Sequence, residues 1–119
     1  MSGRAYLITG GTGFIGAEVA RRLIAAGNSV RILDDNSRGA LRRISGIESY
    51  IELVRADVRD TAAVRAAARG VDSVIHLAAV NGTERFYRQP ELVLDVAIRG
   101  TLAVIDACRA ESVGELVLA

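Results

Sequence analysis

The sequence predicts an α/β fold: a doubly wound parallel sheet of about five strands in the order 3-2-1-4-5, with helices on both faces. Three observations predict it. Short apolar runs alternate with helix-patterned segments along the chain, as parallel strands joined by right-handed crossovers do. The first run closes on a glycine-rich turn, Thr9-Gly10-Gly11-Thr12-Gly13-Phe14-Ile15-Gly16, from which a helix starts. The length, 119 residues, is that of one domain able to enclose a core.

The elements follow in order. Ala5 to Thr9 is short, apolar and bounded by Gly10, and so reads as a buried parallel strand. From Phe14 to Ala26 the apolar residues Phe14, Ile15, Val19, Leu23 and Ile24 keep a helical period, and Gly27-Asn28 ends it. Ser29 to Leu33 is a second strand running into Asp34-Asp35. Asn36 to Gly46 is polar and basic and reads as a loop or short helix. Ile51 to Ala56 is a third strand ending at Asp57. Asp60 or Thr61 can cap a helix to about Arg69, stopped by Gly70. Ser73 to Leu77 is a fourth strand, and Ala78 to Gln89 reads as a loop. Pro90 suits the first turn of a long helix to Ala110, and Glu115 to Leu118 is a fifth strand.

Composition narrows the function classes. Half the residues are hydrophobic and 24% are charged, as in ordinary soluble domains. A net charge of +1 and 4% aromatic residues point to no nucleic-acid partner and no acidic membrane surface. No apolar run approaches the roughly 20 residues of a membrane span. The single cysteine, Cys108, allows no intrachain disulfide and reads as packing, and a reducing cytoplasm fits it. Asn81-Gly82-Thr83 spells a glycosylation sequon but, with no secretory signal in view, reads as a turn. One His and no cluster of ligand spacing offer no metal site. Every other basic residue is Arg, so no Schiff-base lysine, P-loop lysine or Tyr-x-x-x-Lys pair exists within these residues.

The motifs point to a dinucleotide. Gly10 allows a sharp turn after the strand. Gly13 lets a pyrophosphate approach the N–H groups at the helix start, where the helix dipole favours negative charge. Gly16 lets that helix pack closely on the sheet. Asp34, about twenty residues on, is placed to accept hydrogen bonds from the adenosine ribose hydroxyls, and its charge favours NAD over NADP. Arg38 keeps NADP open, since an Arg there could hold a 2′-phosphate. Asp57 and Val58, at the third strand's end, suit an adenine pocket, with the carboxylate taking the exocyclic amine. The small residues after His76, Leu77-Ala78-Ala79, let backbone approach the cofactor, and His76 itself reads as a structural residue. Arg42-Arg43 reads as a solvated face that could also meet a phosphate.

Together the glycine turn, Asp34-Asp35-Asn36-Ser37-Arg38-Gly39, Ala56-Asp57-Val58-Arg59-Asp60, His76-Leu77-Ala78-Ala79 and Arg99-Gly100-Thr101-Leu102 resemble the extended short-chain dehydrogenase/reductases. The branch resembled is the NAD-dependent nucleotide-sugar epimerases and dehydratases. The resemblance implies a Rossmann-type domain and a cofactor site formed by Gly10, Gly13, Phe14, Ile15, Gly16, Asp34, Asp35, Asn36, Ser37, Arg38, Asp57, Val58, Leu77, Ala78 and Ala79. Where the family commonly has an Asn three residues before the Gly-Thr pair, this chain has Ala97. The family's Tyr-x-x-x-Lys lies beyond strand five. The resemblance therefore implies a domain cut before the substrate lobe: the NAD-binding part of an enzyme acting on a nucleotide-sugar substrate, without its catalytic pair and inactive alone. A stand-alone, non-catalytic NAD(P)-binding or sensing module is the alternative. The fifth strand's open edge or an uncovered helix face would also invite a homodimer.

Overall fold

The computed structural model describes residues 3–36, 41–80 and 83–119. Its five strands are β1 (Ala5–Thr9), β2 (Ser29–Asp34), β3 (Ile51–Arg55), β4 (Ser73–His76) and β5 (Glu115–Leu118). They form one parallel sheet in the order β3-β2-β1-β4-β5, as the sequence predicts. The helices are α1 (Phe14–Ala25), α2 (Thr61–Ala67), α3 (Thr83–Arg88) and α4 (Pro90–Ala110), with short 3-10 turns at Leu41–Ile44 and Glu48–Tyr50.

Successive strand residues point to opposite faces, so each face of the sheet has its own core. Ile8, Val30 and Ile32 face α1 and Ile44 of the first 3-10 turn. Leu7, Leu33 and Val74 face α2 and α4, where Val64, Ala67, Val104 and Ala107 meet them. Cys108 is buried in this second core, as its apolar neighbours suggest, and burial pushes its thiol pKa up.

Two sequence expectations change. The buried face of α1 is made of small residues, Gly16, Ala17 and Ala20. Phe14 and Ile15, counted in the helical period and also among the cofactor-site residues, are 83% and 65% exposed. Both sit in the first turn of α1. The segment expected as a loop from Ala78 to Gln89 contains α3. Its six residues span under two turns, too short for a hydrophobic period to register. An exposed Glu84–Arg88 pair at 3.3 Å and an edge-on Phe86–Tyr87 contact join its side chains. Asp60, not Thr61, caps α2, accepting from the Ala63 N–H at 3.1 Å.

Candidate cofactor site

The turn between β1 and α1 is set by its glycines. Gly10 has φ +74°, which an L side chain rarely adopts, and a Cβ there would lie 3.0 Å from the Ala78 backbone at the end of β4. Its N–H donates to the Leu33 carbonyl at 2.9 Å and its carbonyl accepts the Gly13 N–H at 3.0 Å. A Cβ on Gly16 would collide with the Gly10 carbonyl oxygen and lie 2.8 Å from Gly11 Cα, so α1 packs onto the turn only through glycine. Gly13 differs: its φ is −72°, and a Cβ would meet only the Gly10 oxygen, at 3.1 Å. No side chain caps α1 and no acid sits in its first turn. The N–H groups of a helix's first turn lack partners within the helix.

Asp34 closes the end of β2 beside this turn. Its buried carboxylate accepts the Thr12 N–H at 3.0 Å through Oδ2 and the Asn36 N–H at 2.6 Å through Oδ1. Each oxygen keeps one lone pair free of these contacts. The second bond turns the chain at Asn36, which takes a left-handed φ of 64°.

At the end of β4, Thr9 and His76 form a buried pair. Thr9 Oγ1 accepts the Leu77 and Ala78 N–H groups, both at 3.1 Å, and lies 2.6 Å from His76 Nδ1. With both lone pairs used, the hydroxyl donates its hydrogen to Nδ1. The imidazole is thus neutral with its proton on Nε2, which points at Thr101 Oγ1 on α4, 3.3 Å away. Burial holds its pKa below the usual histidine range, in keeping with a neutral ring. His76 thus links Thr9 to Thr101 on α4 at the strand end from which Leu77-Ala78-Ala79 depart.

These parts meet at one open cleft of about 540 Å³ along the C-terminal ends of the strands, where ligands bind in open α/β sheets. Of the residues singled out from the sequence, Gly10, Gly13, Phe14, Ile15, Gly16, Asp34, Asp35, Asp57, Val58, Leu77, Ala78 and Ala79 line it. Asn36 is not among the lining residues, and its backbone N–H supports Asp34 at the cleft edge. Ser37 and Arg38 lie outside the described residues.

The cleft also contains residues the sequence reading missed. Val80 and Val96 add apolar wall near Val58. Arg43, for which the sequence allows a solvated face or a phosphate contact, also lies in the lining. The Arg21 guanidinium on α1 holds its segment by donating to the Arg43 and Ser45 carbonyls at 2.6 and 2.9 Å. Asp57 is gripped by Arg59, which also reaches Asp95 on α4 at 2.7 Å. The Arg59 hydrogen bond holds the carboxyl pKa of Asp57, and likewise that of Asp95, below the ordinary range. Only the spacing of Asp57-x-Arg59 hinted at this network. Among the described residues no group of ligating side chains could hold a metal ion, and no helix is long and apolar enough to cross a membrane.

Residues 6–119 match the model of a family described as the NAD dependent epimerase/dehydratase family. A UDP-glucose 4-epimerase of Streptomyces lividans is 37% identical over 120 residues, which cover 98% of this chain and 35% of that protein. The chain thus spans about a third of the length of the curated relatives it matches. Among solved structures, a UDP-glucose-4-epimerase from Stenotrophomonas maltophila with bound NAD and formylated UDP-arabinopyranose superposes with a TM-score of 0.90 at 28% identity, covering 98% of this chain and 36% of that one. A UDP-glucose 4-epimerase of Thermus thermophilus in complex with NAD gives 0.85 at 32% identity, covering 94% and 36%.

Proposed function

This chain belongs to the NAD-dependent epimerase/dehydratase family, and we propose that it forms the NAD-holding part of a nucleotide-sugar epimerase or dehydratase. The observation that carries the reading is convergence. The glycine turn, Asp34, Asp57-Val58 and Leu77-Ala78-Ala79 come from the C-terminal ends of four separate strands and line one cleft.

The residues fit the cofactor part by part. The uncapped, acid-free start of α1 beside side-chain-free Gly13 suits a pyrophosphate. The two remaining lone pairs of the Asp34 carboxylate suit the adenosine ribose hydroxyls. A 2′-phosphate would face that buried carboxylate, so NAD is preferred to NADP. Asp57, Val58 and Val96 suit the adenine. The backbone of Leu77, Ala78 and Ala79, held by Thr9, suits the half of the cofactor nearer the nicotinamide.

The chemistry NAD supplies when bound is acceptance and return of a hydride at a sugar carbon bearing a hydroxyl. These residues hold and orient it. Moving the hydroxyl proton needs an acid/base group. A chain without lysine does not contain the Tyr-x-x-x-Lys pair that its resemblance implies for that step, and Tyr6, Tyr50 and Tyr87 have no lysine partner. The proposed nucleotide-sugar chemistry therefore requires residues additional to these 119.

Calorimetric titration of the purified chain tests the reading. Saturable one-site binding of NAD, weaker for NADP, is expected. Absence of NAD binding, or equal or tighter binding of NADP, overturns it.

A further inference from the structure

We propose that Arg59, braced by Asp95, is a positioning residue that fixes the Asp57 carboxylate for one hydrogen bond from the adenine amine and so sets selectivity for that base. The proposal rests on the cofactor reading above. It assigns a task to a side chain that lies beside the cleft without lining it.

The geometry makes the task specific. Asp57 Oδ1 accepts the Arg59 backbone N–H at 2.8 Å and the Arg59 Nε–H at 3.0 Å. Both of its lone pairs are then used. Oδ2 accepts the other arm of the guanidinium at 2.7 Å and keeps one lone pair. A two-armed guanidinium–carboxylate pair fixes the carboxylate plane as well as its position, which a single point charge does not. The guanidinium is itself held from its far side, because Nη1 donates to Asp95 Oδ2 on α4 at 2.7 Å. Asp95 is fixed in turn by Arg99, one turn along that helix, at 2.5 Å.

The chain of contacts therefore runs from α4 through Arg59 to Asp57, which lines the cleft together with Val58 and Val96 and keeps one acceptor site on Oδ2. An exocyclic amine can donate to that site. A carbonyl oxygen in the same place would face a carboxylate. Arg59 acts through Asp57 and touches no cofactor atom in this account.

Two dinucleotides that differ in this group, NAD and its deamino (hypoxanthine) analogue, test the role by calorimetry. The unmodified chain is expected to prefer NAD by about tenfold or more, the worth of one charge-assisted hydrogen bond. Arg59→Met, which keeps the apolar stem, is expected to bring the ratio close to one. Asp95→Ala, at a helix surface where Ala is well tolerated, is expected to give an intermediate ratio. If Arg59→Met weakens both dinucleotides equally and keeps the ratio, Arg59 is only a brace for the loop and the proposal fails. A full ratio in Asp95→Ala removes the bracing role of Asp95. Binding of NAD by the unmodified chain with no preference over the analogue overturns the adenine contact but leaves the cofactor reading standing. No binding of either dinucleotide overturns both.

Discussion

The buried carboxylate of Asp34 accepts the backbone N–H of Thr12 at 3.0 Å, tying the end of β2 to the glycine turn that follows β1. The residue proposed to hold the ribose thus also holds the glycine turn in place. Asp34→Ala leaves the N–H groups of Thr12 and Asn36 without this acceptor, so a stability loss of about 1–3 kcal/mol is expected. NAD affinity should fall, and the preference for NAD over NADP should shrink with the carboxylate gone. Chemical denaturation and paired titrations check both effects. Full stability with unchanged selectivity contradicts the double role.

Gly16 is where α1 meets the turn. A Cβ there would press on backbone atoms of Gly10 and Gly11, which cannot rotate away. Gly16→Ala should therefore cost about 1–3 kcal/mol through overpacking and lower the Tm by several degrees. Thermal unfolding followed by circular dichroism measures it, and an unchanged Tm contradicts the close packing.

Gly100 makes a similar approach on the other face, between α4 and the proposed adenine pocket. A Cβ there would lie 2.6 Å from Val58 Cγ1. Gly100→Ala should destabilise, and Val58→Ala should destabilise by opening a cavity. The double variant should recover part of the loss, since the new methyl fills the space the valine leaves. Strictly additive losses in a double-mutant cycle contradict this contact.

The neutral state of His76 predicts a pH dependence. It is the single histidine of the chain, and burial lowers its pKa in the folded state. Unfolded, an imidazole takes a proton below about pH 6.5. Between that value and the lower folded pKa the unfolded chain binds more protons, so stability rises with pH through this window and levels off above it. The Tm should fall as pH drops from neutral toward 5. His76→Asn, which keeps an acceptor for Thr9, should flatten that slope. A wild-type profile without the slope, or the same slope in the variant, contradicts the assignment.

The sheet order and the cleft were legible because each rests on local signals. Glycine spacing, strand-end aspartates and alternating apolar runs are read without knowing the fold. Phe14 and Ile15 show what helical period leaves open: it groups apolar residues on a helix but does not say that those of the first turn stay exposed and line the cleft. The helix α3 was hidden by its length, set between the sequence Asn81-Gly82 and Pro90. The Arg59–Asp95 pair was hidden by sequence separation, since 36 positions divide the partners and only the packed fold brings α4 over the end of β3. The bond from the Asn36 backbone N–H to Asp34 was not legible either, since a strand-end Asp-Asp-Asn run does not say which backbone group its carboxylate accepts.

The central claim is that the glycine turn holds a dinucleotide pyrophosphate. Gly13 tests it most directly, because its φ of −72° suits any residue and a Cβ would meet only one atom of the fold. Calorimetry of NAD binding to the unmodified chain and to Gly13→Val, each checked for an intact unfolding transition, is the decisive measurement. The account predicts measurable NAD binding by the former and a loss of tenfold or more in the variant, about 1.4 kcal/mol or greater. Equal affinities in two folded proteins would contradict it.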